Sequence, residues 1–278
     1  MSKSVTLDMI SHNVRVKEYP QGFIEFMACN RPCFREPGWE VSDKWDTTSG
    51  KRVRDPDAPP KPANIARAVR RAKQNLRDLA LCNDMKYFVT LTLDPAVIDR
   101  YDMGEITRRL NSWCGNMVRR RGLAYILVPE RHQDGAVHFH GFVNNVVEVV
   151  DSGTLSLPWD KKPRRPRSEA ERAEWIAKGG KVVYNLPAWP LGFTTAIELY
   201  GDPVRAVNYC CKYVGKQQEG GTVPEKIGGR WFYHGGCHNR PKVSYGDVDF
   251  DTMPVLDSTF VWEVPAVGAM FAKDLIWL

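Results

Sequence analysis

The chain has 278 residues, of which 43% are hydrophobic and 26% charged; this balance supports a folded core and excludes a disordered or fibrous chain. Its formal net charge of +6 leaves room for a polyanionic partner without demanding one. No apolar run reaches the roughly 18–20 residues that span a bilayer, and the N-terminal stretch lacks a secretory apolar core, so a cytoplasmic protein with no membrane partner is expected.

The seven cysteines are Cys29, Cys33, Cys82, Cys114, Cys210, Cys211 and Cys237. An odd count in a long chain argues against a disulfide framework, and the absence of paired C-x-x-C units argues against a zinc finger. The basic residues are clustered. Lys51, Arg52 and Arg54 precede Arg67, Arg70, Arg71, Lys73 and Arg77; Arg119, Arg120 and Arg121 form a run; Lys161, Lys162, Arg164, Arg165 and Arg167 form another. One such cluster is ordinarily a solvated face. Four in one chain point towards nucleic acid.

Residues 1–50 mix short apolar stretches with Gly and Pro and give no firm element. Asp55 to Pro62 reads as an extended linker. A helix is expected from Ala63 to Leu81, with Ile65, Val69, Leu76 and Leu79 on one face and the arginines largely on the other. Tyr87 to Leu93 is aromatic, β-branched and alternating, hence a strand. Residues 104–120 have helical spacing of Ile106, Leu110, Trp113, Met117 and Val118. Leu123 to Pro129 and Ala136 to Val143 read as two antiparallel strands about the Gln133-Asp134-Gly135 turn. The polar, basic stretch 151–180 reads as an insertion with a short helix at 168–178. A strand at Thr194 to Leu199, a helix from Pro203 to Val214 stopped by Gly215, and an edge near Arg230 to Tyr233 follow. The order predicts an α+β fold: a mainly antiparallel sheet with helices packed on one face. The domain organisation expected is a 1–62 extension and linker, a 63–240 domain and a 241–278 extension.

Two constellations carry chemistry. In His138-Phe139-His140, strand alternation puts both imidazoles on one face, about 7 Å apart along it, while Val137, Phe139, Gly141 and Val143 face a core. Two surface histidines are the plainer reading of H-x-H. However, Glu130 closes the preceding strand, and the Asp-Gly turn returns it towards the histidines. Two imidazoles and a carboxylate suit a divalent ion such as Mn²⁺ or Mg²⁺ with positions left open for phosphate oxygens. His132 and Asp134 compete for the third place. In Tyr209-Cys210-Cys211-Lys212-Tyr213-Val214-Gly215-Lys216, the tyrosines stand four apart on one helix face, each followed three positions later by a lysine. A tyrosine hydroxyl can attack a phosphodiester, and a nearby cation can ease its deprotonation and stabilise the transferring phosphate. Core packing is the plainer reading of such tyrosines.

The strand Phe88 to Asp94, then His138-Phe139-His140, then Tyr209-x-x-Lys212-Tyr213 together resemble the HUH endonuclease superfamily, and most closely its rolling-circle replication initiators of the gene A type. The resemblance spans roughly residues 63–240. It implies an RRM-like antiparallel palm and metal-dependent nicking and rejoining of single-stranded DNA at a replication origin. The product would be a covalent 5′-phosphotyrosine on Tyr209, Tyr213 or both in alternation, assisted by Lys212 and Lys216. It also implies Glu130 as the third ligand beside His138 and His140. A phage- or plasmid-encoded protein of a bacterial host would fit. No G-x-x-x-x-G-K-[ST] phosphate loop occurs, so a separate helicase and a host polymerase are expected partners. The sequence leaves the oligomeric state open. Rival readings are a transposase or relaxase with the same chemistry, a non-catalytic single-strand-binding protein, and an iron oxygenase built on the two histidines.

Overall fold

The structure, a computed structural model, describes residues 11–35, 62–160, 162–201, 203–216, 224–253, 259–264 and 269–277. The linker at 55–61 and the basic residues Lys51, Arg52, Arg54 and Lys161 lie outside them. The chain divides into two compact units, residues 1–59 with 241–278 and residues 60–240.

The terminal unit begins with β1 (Ser11–His12), β2 (Val14–Tyr19), β3 (Phe23–Cys29) and β4 (Phe34–Arg35). β2 and β3 form an antiparallel hairpin, and β1 pairs with β4.

The central unit runs α1 (Pro62–Cys82), β5 (Tyr87–Thr92), α2 (Met103–Arg121), β6 (Tyr125–Arg131), β7 (Val137–Val143), β8 (Val150–Ser156), α3 (Glu169–Ala177), β9 (Lys181–Asn185), β10 (Thr194–Glu198), α4 (Pro203–Cys211) and β11 (Tyr233–Gly235). Its strands form one seven-stranded antiparallel sheet in the order β11-β6-β7-β5-β10-β9-β8. The α+β class and the mainly antiparallel palm predicted from the element order are therefore present.

The chain returns to the terminal unit with β12 (Lys242–Gly246), β13 (Phe260–Val264) and β14 (Ala269–Trp277). These complete a second antiparallel sheet, ordered β12-β2-β3-β14-β13. In that sheet Phe23, Ala28, Cys29 and Ala272 are buried, and buried Glu25 is paired with Lys273 at 2.8 Å.

The palm core follows from strand alternation. Val89 and Leu91 of β5, Leu127 of β6 and Val137, Phe139 and Val143 of β7 form one buried cluster with Ile106, Leu110 and Cys114 of α2. The last three recur every four residues, so one stripe of α2 closes over the sheet. The Asp102 side chain starts α2 by accepting from the N–H groups of Gly104 and Glu105, and Gly122, at φ 71°, ends it. Each fully buried core side chain contributes about 1.5–3 kcal/mol. At Gly141 the neighbouring strand comes so close that a Cβ would sit 1.8 Å from the Ile126 carbonyl oxygen; only glycine lets β6 and β7 pair there.

Two expected elements differ. The 151–180 insertion is more than a loop with a helix, because it also supplies β8 and β9, which extend the sheet. Edge strands bury little; β8 is mostly exposed, so its Asp-Ser-Gly-Thr stretch lacks an apolar signature. The helix expected to reach Val214 ends at Cys211. The chain continues in a tighter coil whose N–H groups at Lys212, Tyr213, Val214 and Lys216 bond three residues back.

Candidate metal centre and tyrosine pair

The sheet register assembles the site. Glu130 of β6 lies directly opposite His138 of β7, which lies opposite Thr92 of β5; one row along, Val128, His140 and Thr90 are aligned in the same way. Opposed residues share a face, so Glu130, His138 and His140 meet on the side of the palm away from α2. Glu130 Oε2 is 3.2 Å from His138 Nε2 and 3.0 Å from His140 Nε2, and the two Nε2 atoms are 2.7 Å apart. Glu130 and His138 are buried.

This donor set fits a divalent ion. Ligand atoms about 2.1 Å from a shared centre lie about 3 Å from one another, which is the spacing seen. Glu130, His138 and His140 are the one group of three such residues able to share an ion among those described. The rival third ligands are engaged elsewhere. Asp134 pairs with Arg100 at 3.4 Å and accepts from the Ala136 N–H, while the His132 ring packs 3.9 Å from that of His138. Cys29 is buried and Cys33 exposed, and they join no such group among the described residues.

Thr90, which sequence reasoning passed over, has Oγ1 3.1 Å from His140 Nδ1. With Nδ1–H donating to that oxygen, the Nε2 lone pair is free to face an ion. The alternating threonines of Phe-Val-Thr-Leu-Thr-Leu were the available signal, once β5 was paired with β7.

Burial alone would push the Glu130 carboxyl up. Its hydrogen bonds with His138, His140 and Lys216 outweigh that and hold it well below the usual carboxylate range. Lys216 completes this arrangement, its Nζ contacting Glu130 Oε1 while lying 5.7 Å from the Tyr213 ring centre.

The tyrosine segment lies over the same face. The Tyr213 ring stacks on His140, with centres 4.2 Å apart at 24°, and its hydroxyl donates to that of Tyr209 at 2.7 Å. Tyr209 is exposed and packs edge-on against Phe88, which itself stacks near His140. Burial first, then the hydrogen bond with Tyr209 and the Glu130 charge, push the Tyr213 hydroxyl above the ordinary tyrosine range. Lys212 is exposed, with Nζ 5.6 Å from the Tyr209 ring centre, and stands apart from the ligand group. Cys210 is buried, and Cys211 Sγ lies 3.7 Å from the Lys73 carbonyl; these cysteines pack α4 onto α1.

The structure therefore brings Glu130, His138, His140, Tyr213, Tyr209 and Lys216 together and leaves Lys212 at the rim. No helix among the described residues is long and apolar enough to cross a membrane. No curated protein and no solved structure matches the chain. Residues 86–218, which hold the three ligands, both tyrosines and both lysines, match the family model for the replication-associated protein ORF2/gene II protein, and this supports reading the chain as a Rep-type replication protein with a role in replication initiation.

Proposed function

We propose that the protein nicks and rejoins single-stranded DNA at a replication origin through a covalent 5′-phosphotyrosine. The observation that carries this reading is the stacking of Tyr213 on His140, which sets a pair of tyrosine hydroxyls beside a two-imidazole, one-carboxylate cluster. Glu130, His138 and His140 would hold a divalent ion, Mn²⁺ or Mg²⁺, which when bound polarises the scissile phosphate.

The chain's own residues do the rest. The attacking tyrosine oxygen forms a bond to phosphorus as the bond from phosphorus to the 3′ oxygen breaks. The phenolic proton passes to solvent, and the 3′ oxygen takes one up, leaving a free 3′-hydroxyl for a polymerase. Lys216 balances Glu130 and offers positive charge beside Tyr213; Lys212 does so beside Tyr209. Because the hydroxyls touch, either tyrosine can take the attacking position, and the second can reverse the first reaction. A free tyrosine has a pKa of about 10, so the hydroxyl needs such neighbours at neutral pH.

Rejoining by the second tyrosine favours replication over a transposase or relaxase role. A non-catalytic binding protein would not need the three-ligand cluster, and an iron oxygenase would not need the tyrosines above it.

The test is incubation with Mn²⁺ and single-stranded origin-bearing DNA, read as a covalent adduct on a denaturing gel. An adduct is expected from the wild type, a reduced one from Tyr209→Phe and from Tyr213→Phe, and none from the double variant. Absence of adduct from every origin-bearing DNA would sink the nicking reading. Complete loss from one single variant would reduce the pair to one nucleophile.

A further inference from the structure

The central unit carries an open groove of about 590 Å³ between α1 and the segment that leads into β11. One wall is a single face of α1, where Ala68, Arg71, Ala72 and Asn75 recur at helical spacing. The alanines keep this wall low. The other wall includes Lys226, Arg230, Trp231 and His234. A tight turn shapes it: Gly228 and Gly229 have φ of 64° and 74°, and the Arg230 N–H reaches the Ile227 carbonyl at 3.4 Å. Positive φ at both central residues is the geometry of a primed turn. A Cβ on Gly228 would lie 2.2 Å from the Tyr233 hydroxyl oxygen, so this turn requires glycine.

The lining has one sign of charge. Arg71, Lys226 and Arg230 face the groove, and no carboxylate among the described residues lines it. Glu225, next in the chain, turns instead to Arg131 at 3.6 Å. Aromatic rings stand among the cations. Lys226 Nζ lies 5.8 Å from the Trp231 ring centre, and the Phe232 and His234 rings are 5.5 Å apart. Cations spaced along an open groove, with ring faces between them, match alternating phosphates and unpaired bases. A duplex hides its base faces and cannot use the rings. The helix that forms this wall also touches the tyrosine segment. A Cβ on Gly215 would come within 3.0 Å of the Val69 side chain, and Cys211 contacts the Lys73 carbonyl.

We propose that this groove is a second binding subsite, holding single-stranded DNA that flanks the position where the tyrosines act. The proposal rests on the nicking reading above for the identity of the strand. The test uses the full chain and a fluorescent thymidine oligonucleotide of about 20 nucleotides, in EDTA, with anisotropy as the readout. Arg71→Gln combined with Arg230→Gln is expected to weaken binding about 10-fold. It should also reduce the slope of log affinity against log salt by about 0.7 for each cation removed. Trp231→Leu is expected to weaken binding and leave that slope unchanged. Arg71 and Arg230 are exposed, so the charge variant tests the groove even if the Trp231 variant fails to fold. Wild-type affinity in the charge variant would overturn the proposal, as would an equal loss for duplex DNA.

The adduct assay on the same preparations separates the two readings. Adduct formation with unchanged oligonucleotide affinity in the charge variant removes the groove and keeps nicking. Weakened affinity without any wild-type adduct keeps the groove as a single-strand site and removes nicking.

Discussion

Glu130 directs its two carboxylate oxygens at different partners, Oε2 at both imidazoles and Oε1 at Lys216. Removing its charge leaves two imidazoles and one buried neutral amide. Glu130→Gln is expected to lower Mn²⁺ affinity at least about 10-fold by titration calorimetry, and unchanged affinity would take Glu130 out of the ligand set. Thr90 acts through the His140 ring. Thr90→Val keeps the shape and removes the oxygen beside His140 Nδ1, and should cost about 10- to 100-fold in metal affinity; a smaller loss than about 3-fold would mean that Thr90 does not orient the ring.

The carboxyl of Glu130 also carries a pH signature in the metal-free protein. Its folded pKa is depressed from the ordinary 4.5, so the stability it contributes is fully present above that ordinary value. It is lost as the pH falls through the lower folded value. The advantage of wild type over Glu130→Gln in chemical denaturation should therefore be full near about pH 7 and shrink below about pH 4. An advantage that grew on acidification would contradict this assignment. At this scale His138, His140, Glu130 and the tyrosines were legible, because H-x-H alternation, a short Asp-Gly turn and an i, i+4 pair are local patterns. The pairing of Lys216 with Glu130 was not legible, since it joins positions 86 residues apart in the chain.

The β6–β7 hairpin and α2 are the elements that hold the ligands. Phe139 projects from β7 into the α2 core between the two histidines, and is fully buried. Phe139→Ala is expected to destabilise the protein by about 3–5 kcal/mol in denaturant unfolding. A cost under about 1 kcal/mol would mean that β7 is not anchored through this side chain. At Gly141, a methyl group would force β6 and β7 apart. Gly141→Ala should cost at least about 2 kcal/mol and should weaken metal binding by shifting His140, whereas Gly229→Ala adds a Cβ that meets nothing within 4 Å. The long periodic elements α1, α2, β5 and β7 were legible because each buries a full stripe or face. β8 and β9 were not, because an edge strand with a solvated face needs no apolar alternation. The early end of α4 was hidden for a different reason: the tighter coil after Cys211 keeps the same residues on the sheet side, so the pattern barely changes.

The two ends of the chain form one sheet, with β12 paired to β2 and β14 to β3. Neither end can complete that sheet alone, while the palm core draws only on residues of the central unit. Removing residues 241–278 should therefore expose 11–35 to protease and leave the 60–240 unit resistant, read by mass spectrometry of a limited digest. Equal protection of the N-terminal strands with and without the C-terminal segment would contradict the shared sheet.

The sequence by itself determined the α+β class, the order of the palm elements and the histidine and tyrosine motifs, because these rest on periodicity and short-range turn chemistry. Only the tertiary structure decided which third ligand faces the histidines, that Tyr213 stacks on His140, that the chain ends share a sheet, and that Arg71 faces Lys226 and Arg230 across a groove. Each of these depends on strand register or on contacts between residues far apart in the chain, which no local pattern records.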